Sequence, residues 1–171
     1  MFLPMNIIEA DIVPNTRSEL WRASGFSCSI PLTGIRGNMY KNSMTLFLSE
    51  VLMRSLKEGA SGDEIFQWCK GMVLLLDSLE RDFSNFHLRF LADYAAILGF
   101  APSAEALMPF AGERYPELKL LVESTFASSM LVPLSGEKRN EMAEILLKFI
   151  SHHSDSAINV QSLKVLRELF K

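Results

Sequence analysis

The sequence predicts a mainly α fold, a helical bundle of about six helices preceded by a short N-terminal β-hairpin. Apolar side chains recur at helical spacing from Asn38 onward, while the residues before Phe26 are rich in β-prone types around a Pro-Asn turn. The third observation is size: 171 residues with 49% hydrophobic content suffice for one domain with a real core, and are too few for two. The expected division is a hairpin and linker over 1–34 and an all-α unit over 35–171.

At the start of the chain, Ile7, Ile8, Ile12 and Val13 favour a strand, Pro14-Asn15 a reversal, and Leu20, Trp21 and Phe26 a returning strand before a loop from Ser27 to Gly37. Two strands alone are marginal in water. This hairpin, with Ile7, Ile12, Trp21 and Phe26 on its apolar face, is therefore expected either to fold back on the helices or to pair with the hairpin of a second chain as a homodimer.

The first helix is expected over Asn38 to Glu58, because Tyr40, Met44, Phe47, Leu48, Val51 and Leu52 share one broad face and Gly59 stops it. Asp63 is placed to cap a second, reaching about Glu80. Ser84 or Asn85 opens a third, which Gly99 ends with Pro102 just beyond. That third helix is apolar nearly all round (Phe86, Phe90, Leu91, Tyr94, Ala95, Ile97, Leu98), the pattern of a bundle's central helix. Signals between Ala101 and Pro116 are short and broken. A fourth helix follows from Tyr115 to Phe126 with Pro116 in its first turn, then a loop through Pro133. Ser135 caps a fifth, running to about His152, and a short last helix covers Val160 to Phe170.

Seventeen basic against twenty acidic side chains leave a net charge of −3, so the molecule lacks the strongly basic surface of non-specific nucleic-acid binders. Cys28 and Cys69 do not make a disulfide framework or a Cys-x-x-Cys zinc motif. The first residues lack a basic n-region and reach Glu9 and Asp11 too soon for a secretory signal, and apolar runs such as Met72 to Leu76 fall far below the ~20 residues that span a bilayer. The expectation is a cytoplasmic protein with no membrane association.

His87 heads the apolar helix with Leu91, Tyr94 and Leu98 on its own face, the setting of a buried ring held by hydrogen bonds rather than of a ligand. His152 and His153, adjacent on a helix, diverge by about 100° and read as a frayed polar end. No serine sits in a nucleophile elbow, and the glycines form no phosphate or dinucleotide loop. No catalytic residue, cofactor or metal site is expected. The informative feature is a local cationic excess: Arg36, Lys41, Arg54 and Lys57 face only Glu50, and Lys164, Arg167 and Lys171 form a second group with Glu168. Such clusters serve either as solvated helix faces or as contacts for phosphates or acidic peptides.

Asn85-Phe86-His87-Leu88-Arg89-Phe90-Leu91, continuing to Leu98-Gly99-Phe100-Ala101-Pro102, resembles the central helix and its exit in the RecO family of bacterial DNA repair proteins. Tyr40 to Leu52 resembles the helix that opens that family's helical domain, Ser162 to Phe170 its C-terminus, and Phe2 to Glu9 the fourth-strand region of its N-terminal OB-fold. The resemblance implies an OB-fold followed by an all-α domain. It further implies binding of single- and double-stranded DNA, strand annealing, and work with RecR and single-stranded-DNA-binding protein to load RecA. Three departures stand out. Only the last two OB-fold strands have counterparts, which removes the stacking face that annealing uses. The stretch from Ser103 to Arg114 is shorter than a hairpin-bearing insertion of many members, and the four-cysteine zinc site of some is missing. The expectation is a non-catalytic recombination mediator that meets DNA or acidic peptide through Arg36, Lys41, Arg54, Lys57, Lys164 and Arg167. The alternative is a protein-interaction module alone, docking RecR or the acidic, aromatic-ended tail of single-stranded-DNA-binding protein.

Overall fold

The structure, a computed structural model, describes residues 2–17, 20–56, 62–154 and 157–169. It is mainly helical, with one two-stranded antiparallel ribbon at the N-terminus, β1 (Ile8–Val13) and β2 (Arg22–Cys28). Ile8 lies opposite Cys28 and Val13 opposite Arg22, with a bulge between Glu9 and Asp11. Gly25, at φ +63°, sits in that bulge, where a Cβ would stand 2.4 Å from the Asp11 carboxylate, so only glycine fits. The ribbon does not fold back on the helices: every residue of β2 is exposed, and only Ile7, just before β1, is buried.

A single turn, α1 (Thr33–Arg36), interrupts what the sequence pattern reads as loop. It forms because Asp77 Oδ1 accepts the Ile35 N–H at 2.7 Å and Ile35 is wholly buried. Gly34 permits the approach, since a Cβ there would come within 2.1 Å of the Asp77 carbonyl oxygen. Next comes α2 (Met39–Ser55), capped by the Asn38 side chain, which accepts from the N–H groups of Tyr40 and Lys41. The expected stop at Gly59 lies outside the described residues.

Asp63 falls inside the first turn of α3 (Gly62–Ser78), where its charge favours the helix N-terminus, rather than at a cap. The central helix is α4 (Phe86–Ile97). It ends as its sequence predicts: Gly99 at φ +91° allows Phe100 N–H to reach Ala95 O at 2.8 Å and Gly99 N–H to reach Ala96 O at 2.9 Å, the paired bonds of a Schellman motif. At the other end Asn85 holds the cap position without capping. Its Nδ2 instead donates to the carbonyls of Ser129, Met130 and Val132.

The broken stretch after Ala101 is α5 (Ala104–Ala111), containing Pro109 and running through a 3-10 turn, Gly112–Arg114, into α6 (Tyr115–Glu123). The fourth helix stops earlier than its pattern predicts, because Ser124 is extended and Thr125 caps a separate short helix, α7 (Phe126–Met130), by accepting from Ser128 N–H. Ser135 caps α8 (Gly136–Ser154) as expected, and α9 (Leu163–Leu169) closes the described chain.

Phe47, Phe86, Phe90, Tyr94 and Phe149 are fully buried around α4, with Trp68 stacked on Tyr94 at 5.8 Å and the Tyr94 hydroxyl 2.7 Å from Ser55 Oγ. Burying an aromatic side chain removes about 150–250 Å² from water, so these rings dominate the core. Two ion-pair clusters tie the later helices together. Arg114 bridges Glu117 and Glu141, and Lys138 returns to Glu117 at 2.8 Å. Arg89 pairs with Asp93 and donates to Ser124 O, which fixes the break between α6 and α7 against α4.

Candidate nucleic-acid interface

The six cations singled out by the sequence pattern fall into three environments. Arg36 and Lys41 are internal. One Arg36 amino group donates to Pro4 O at 2.7 Å and Asn6 Oδ1 at 2.5 Å, the other to Asn42 Oδ1 at 2.7 Å. It is the clamp that seats the N-terminal segment on α2. Burial pulls its pKa down against the opposing influence of Asp77 and Cys28. Lys41 is only 3% exposed, its Nζ donates to Asp77 O at 3.0 Å, and the ammonium lies 5.3 Å from the centre of the Phe83 ring. It satisfies a carbonyl in the last turn of α3, where a cation also suits the helix dipole. Desolvation lowers its pKa, opposed by Asp77 and Glu80.

Arg54, Lys164 and Arg167 reach the surface, on α2 and α9, which pack against each other. Arg54, in the last turn of α2, pairs with Glu50 at 3.1 Å. The same Glu50 carboxylate accepts from Gln161 N–H, Ser162 N–H at 2.9 Å and Ser162 Oγ–H at 2.6 Å, while Lys164 Nζ donates to Gln161 Oε1 at 3.3 Å. Arg54 and the start of α9 thus share one carboxylate, and Lys164 is tied to it only through Gln161. Arg167, a turn further along α9, pairs with Glu144 of α8 at 2.5 Å. Lys57 and Lys171 lie outside the described residues.

Glu50 is the residue that charge counting undervalues. It accepts the backbone N–H groups at the start of α9 and so anchors that helix to α2. Burial works against its charge, but the bonds from Ser162, Gln161 and Arg54 outweigh that and hold its pKa at about 2. Its partners at the start of α9 stand 111 and 112 positions away, beyond the reach of any local pattern.

The histidines occupy different surroundings. His87 is 1% exposed beneath Phe47, and burial, with Arg139 nearby, drives its pKa to about 3 despite a backbone hydrogen bond at Ser84, so the ring is neutral. His152 and His153 lie exposed in the last turn of α8, a polar helix end, and their rings also touch Phe110 and Phe149 respectively, with His153 Nδ1 2.9 Å from Phe149 O. Cys69 is half-buried, and desolvation pushes its thiol up to about 11. Among the described residues no group of three His, Cys, Asp or Glu is placed to hold a metal, and no helix is long and apolar enough to cross a membrane.

Two surface grooves are relevant to partners. One, beside Arg167, is lined by Glu137, Glu141 and Glu144 and is acidic. The other, about 490 Å³, has an apolar floor of Leu75, Leu79, Phe126, Met130 and Leu131 with Arg81 at its rim between Glu80 and Asp82.

Residues 36–106 match the family model described as "Recombination protein O C terminal". The chain is 30% identical to a protein named DNA repair protein RecO from Bacteroides fragilis and 28% identical to one of that name from Phocaeicola vulgatus, each over 99% of this chain and 79% of the relative. A namesake from Flavobacterium johnsoniae is 26% identical over 99% of this chain and 78% of its own. No solved structure matches the chain significantly.

Proposed function

The chain belongs to the RecO family of DNA repair proteins, and on that premise we propose that it is a non-catalytic recombination mediator that holds DNA by its phosphates. The observation that carries the reading is that Glu50, paired with Arg54, receives Gln161 at the start of α9, whose side chain in turn accepts from Lys164, with Arg167 next along that helix. All three have acidic or amide neighbours within hydrogen-bond range, yet each retains donors: a guanidinium has five N–H groups and an ammonium three. The exposed heads can take a phosphate without leaving their present partners. Arg36 and Lys41 contribute indirectly, by seating the elements that carry this surface.

With a net charge of −3, binding is weak and steeply salt-dependent. Each phosphate neutralised on duplex DNA adds about −0.9 to the slope of log affinity against log salt. Titrating a labelled duplex and a labelled single strand in low salt against the parent and an Arg54→Glu/Lys164→Glu variant tests the surface. The expected result is a loss of affinity of tenfold or more with a shallower salt slope. Unchanged affinity and slope would place the DNA elsewhere.

A second reading, a docking module for partner proteins, is favoured by the apolar groove beside Arg81. An acidic tail ending in an aromatic residue, as in single-stranded-DNA-binding protein, would set its ring on Leu79, Phe126 and Met130 and its carboxylate on Arg81. Binding of such a peptide that Arg81→Glu abolishes, with DNA affinity intact, would favour this module. RecR is the other partner this reading admits.

A further inference from the structure

The first half of α8 carries an acidic stripe. Glu137, Glu141 and Glu144 follow one another at four and three residues, so they share a face of the helix and repel one another. Arg114 answers Glu141 at 2.6 Å and Arg167 answers Glu144 at 2.5 Å. Glu137 has no ion-pair partner among the described residues. The helix dipole favours a carboxylate at Glu137, in the first turn, and gives little to the two beyond it.

These carboxylates and Arg167 of α9 wall a groove of about 490 Å³. Asn140 lines it too. Its side chain is only 9% exposed, yet its amide makes no hydrogen bond among the described residues. Buried amides in folded proteins are nearly always bonded, and an apolar residue beside the core positions Met142 and Ala143 would carry no unmet polar group. An amide held in this way, opening on an acidic groove, marks a place for a polar ligand.

We propose that the groove takes an arginine side chain from a basic segment of a partner protein, its guanidinium donating to the Glu137 carboxylate and to Asn140 Oδ1. Positions three apart on a helix hold their Cβ atoms about 5–6 Å from each other, a span that a planar fork of N–H donors bridges and a single ammonium does not. Arg167 already shows that the groove accepts a guanidinium against a carboxylate, at Glu144. Phosphates and acidic peptides are repelled by the same charges, and among the described residues no group of three His, Cys, Asp or Glu is placed to hold a metal. Glu141 and Glu144 also wall a second hollow of about 270 Å³ toward Glu113, which gives an extended basic segment an acidic path across α8.

Fluorescence anisotropy in low salt with a labelled Gly-Ser-Arg-Ser-Arg-Ser-Gly peptide tests the groove. The expected result is saturable binding, weaker by about threefold or more when lysine replaces arginine, and none when glutamate does. Asn140→Leu, which leaves the charge unchanged, and Glu137→Gln should each weaken binding by about threefold or more with unchanged helical circular dichroism. Glu64→Gln, an equal change of charge on α3, should leave it unaltered. The side-chain amide signals of Asn140 in a nitrogen-15 spectrum should move as the peptide is added. The proposal is overturned by an absence of saturable binding, by equal affinity for the lysine peptide, by unchanged affinity in Asn140→Leu or Glu137→Gln, by an equal loss in Glu64→Gln, or by Asn140 signals that stay in place. The peptide test varies α8 and the DNA test varies Arg54 and Lys164, so either reading can fail without the other.

Discussion

Phe90 and Phe26 are the same residue in opposite surroundings. Phe90 is wholly buried, packed by Trp68, Phe86 and Tyr94, whereas Phe26 stands 40% exposed with Phe2 across its edge. The contrast holds for the regions that carry them. The helical body closes its core by contacts distant in sequence, and Lys41, Ser55 and Asn85 find partners within it. The ribbon is held by its own ladder and by Arg36, and every residue of β2 is exposed among the described residues. Burial in the body therefore produces stability, whereas the exposed side chains of the ribbon add little to it.

The sharpest way to break this comparison is truncation at equivalent residues. Phe90→Ala should cost about 3–5 kcal/mol in a denaturant melt, the range for a buried phenyl ring whose cavity cannot collapse. A loss below about 1 kcal/mol would mean that α4 is not central.

A smaller effect is expected at Asn85. Replacing it with Ala removes the donor shared by the carbonyls of Ser129, Met130 and Val132 and should cost about 2–3 kcal/mol, because buried acceptors lose their partner. The loss should appear first as faster amide exchange in α7. Uniform loosening of the whole body would instead point to a general packing defect.

At Glu50 the comparison extends to pH. Glu50→Gln should cost about 1–2 kcal/mol, as for loss of a charged helix cap, and release α9 selectively. The folded carboxylate sits at about 2, below its ordinary 4.5, so its contribution is complete above 4.5 and disappears as pH falls toward 2. His87 acts over a higher window. Its folded value of about 3 lies below the ordinary 6.5, so from 6.5 down to 3 the unfolded chain binds a proton that the folded chain refuses, and stability falls with pH. Stability against pH should show the His87 limb flattened in His87→Gln and the lower limb reduced in Glu50→Gln.

The smallest effect belongs to the ribbon. In dilute solution Trp21→Ser should change stability by no more than about 0.5 kcal/mol, the usual range for surface positions. A large loss would mean that the ribbon is part of the core after all.

Periodic elements were legible in the sequence, and side-chain partnerships were not. α2, α3, α4 and α8 announce themselves by apolar spacing, and Gly99 with Pro102 marks the exit of α4. α5 and α7 escape because Pro109 breaks the helical signal and the Thr125 cap divides what looks like one run. Lys41 reads as a cation available to solvent because composition shows its charge and not the carbonyl of Asp77 that receives it. The cationic clusters were visible as charge, but that Glu50 joins Arg54 to the start of α9 depends on a contact more than a hundred residues long in sequence. The family resemblance did better, since it rests on core helices whose pattern is local.

Native-state hydrogen exchange tests the division between body and ribbon most directly. The α4 amides, among the most deeply packed, should exchange only through global unfolding. Amides of β1 and β2 should exchange far faster, through local opening. Ribbon amides as protected as those of α4 would contradict the account.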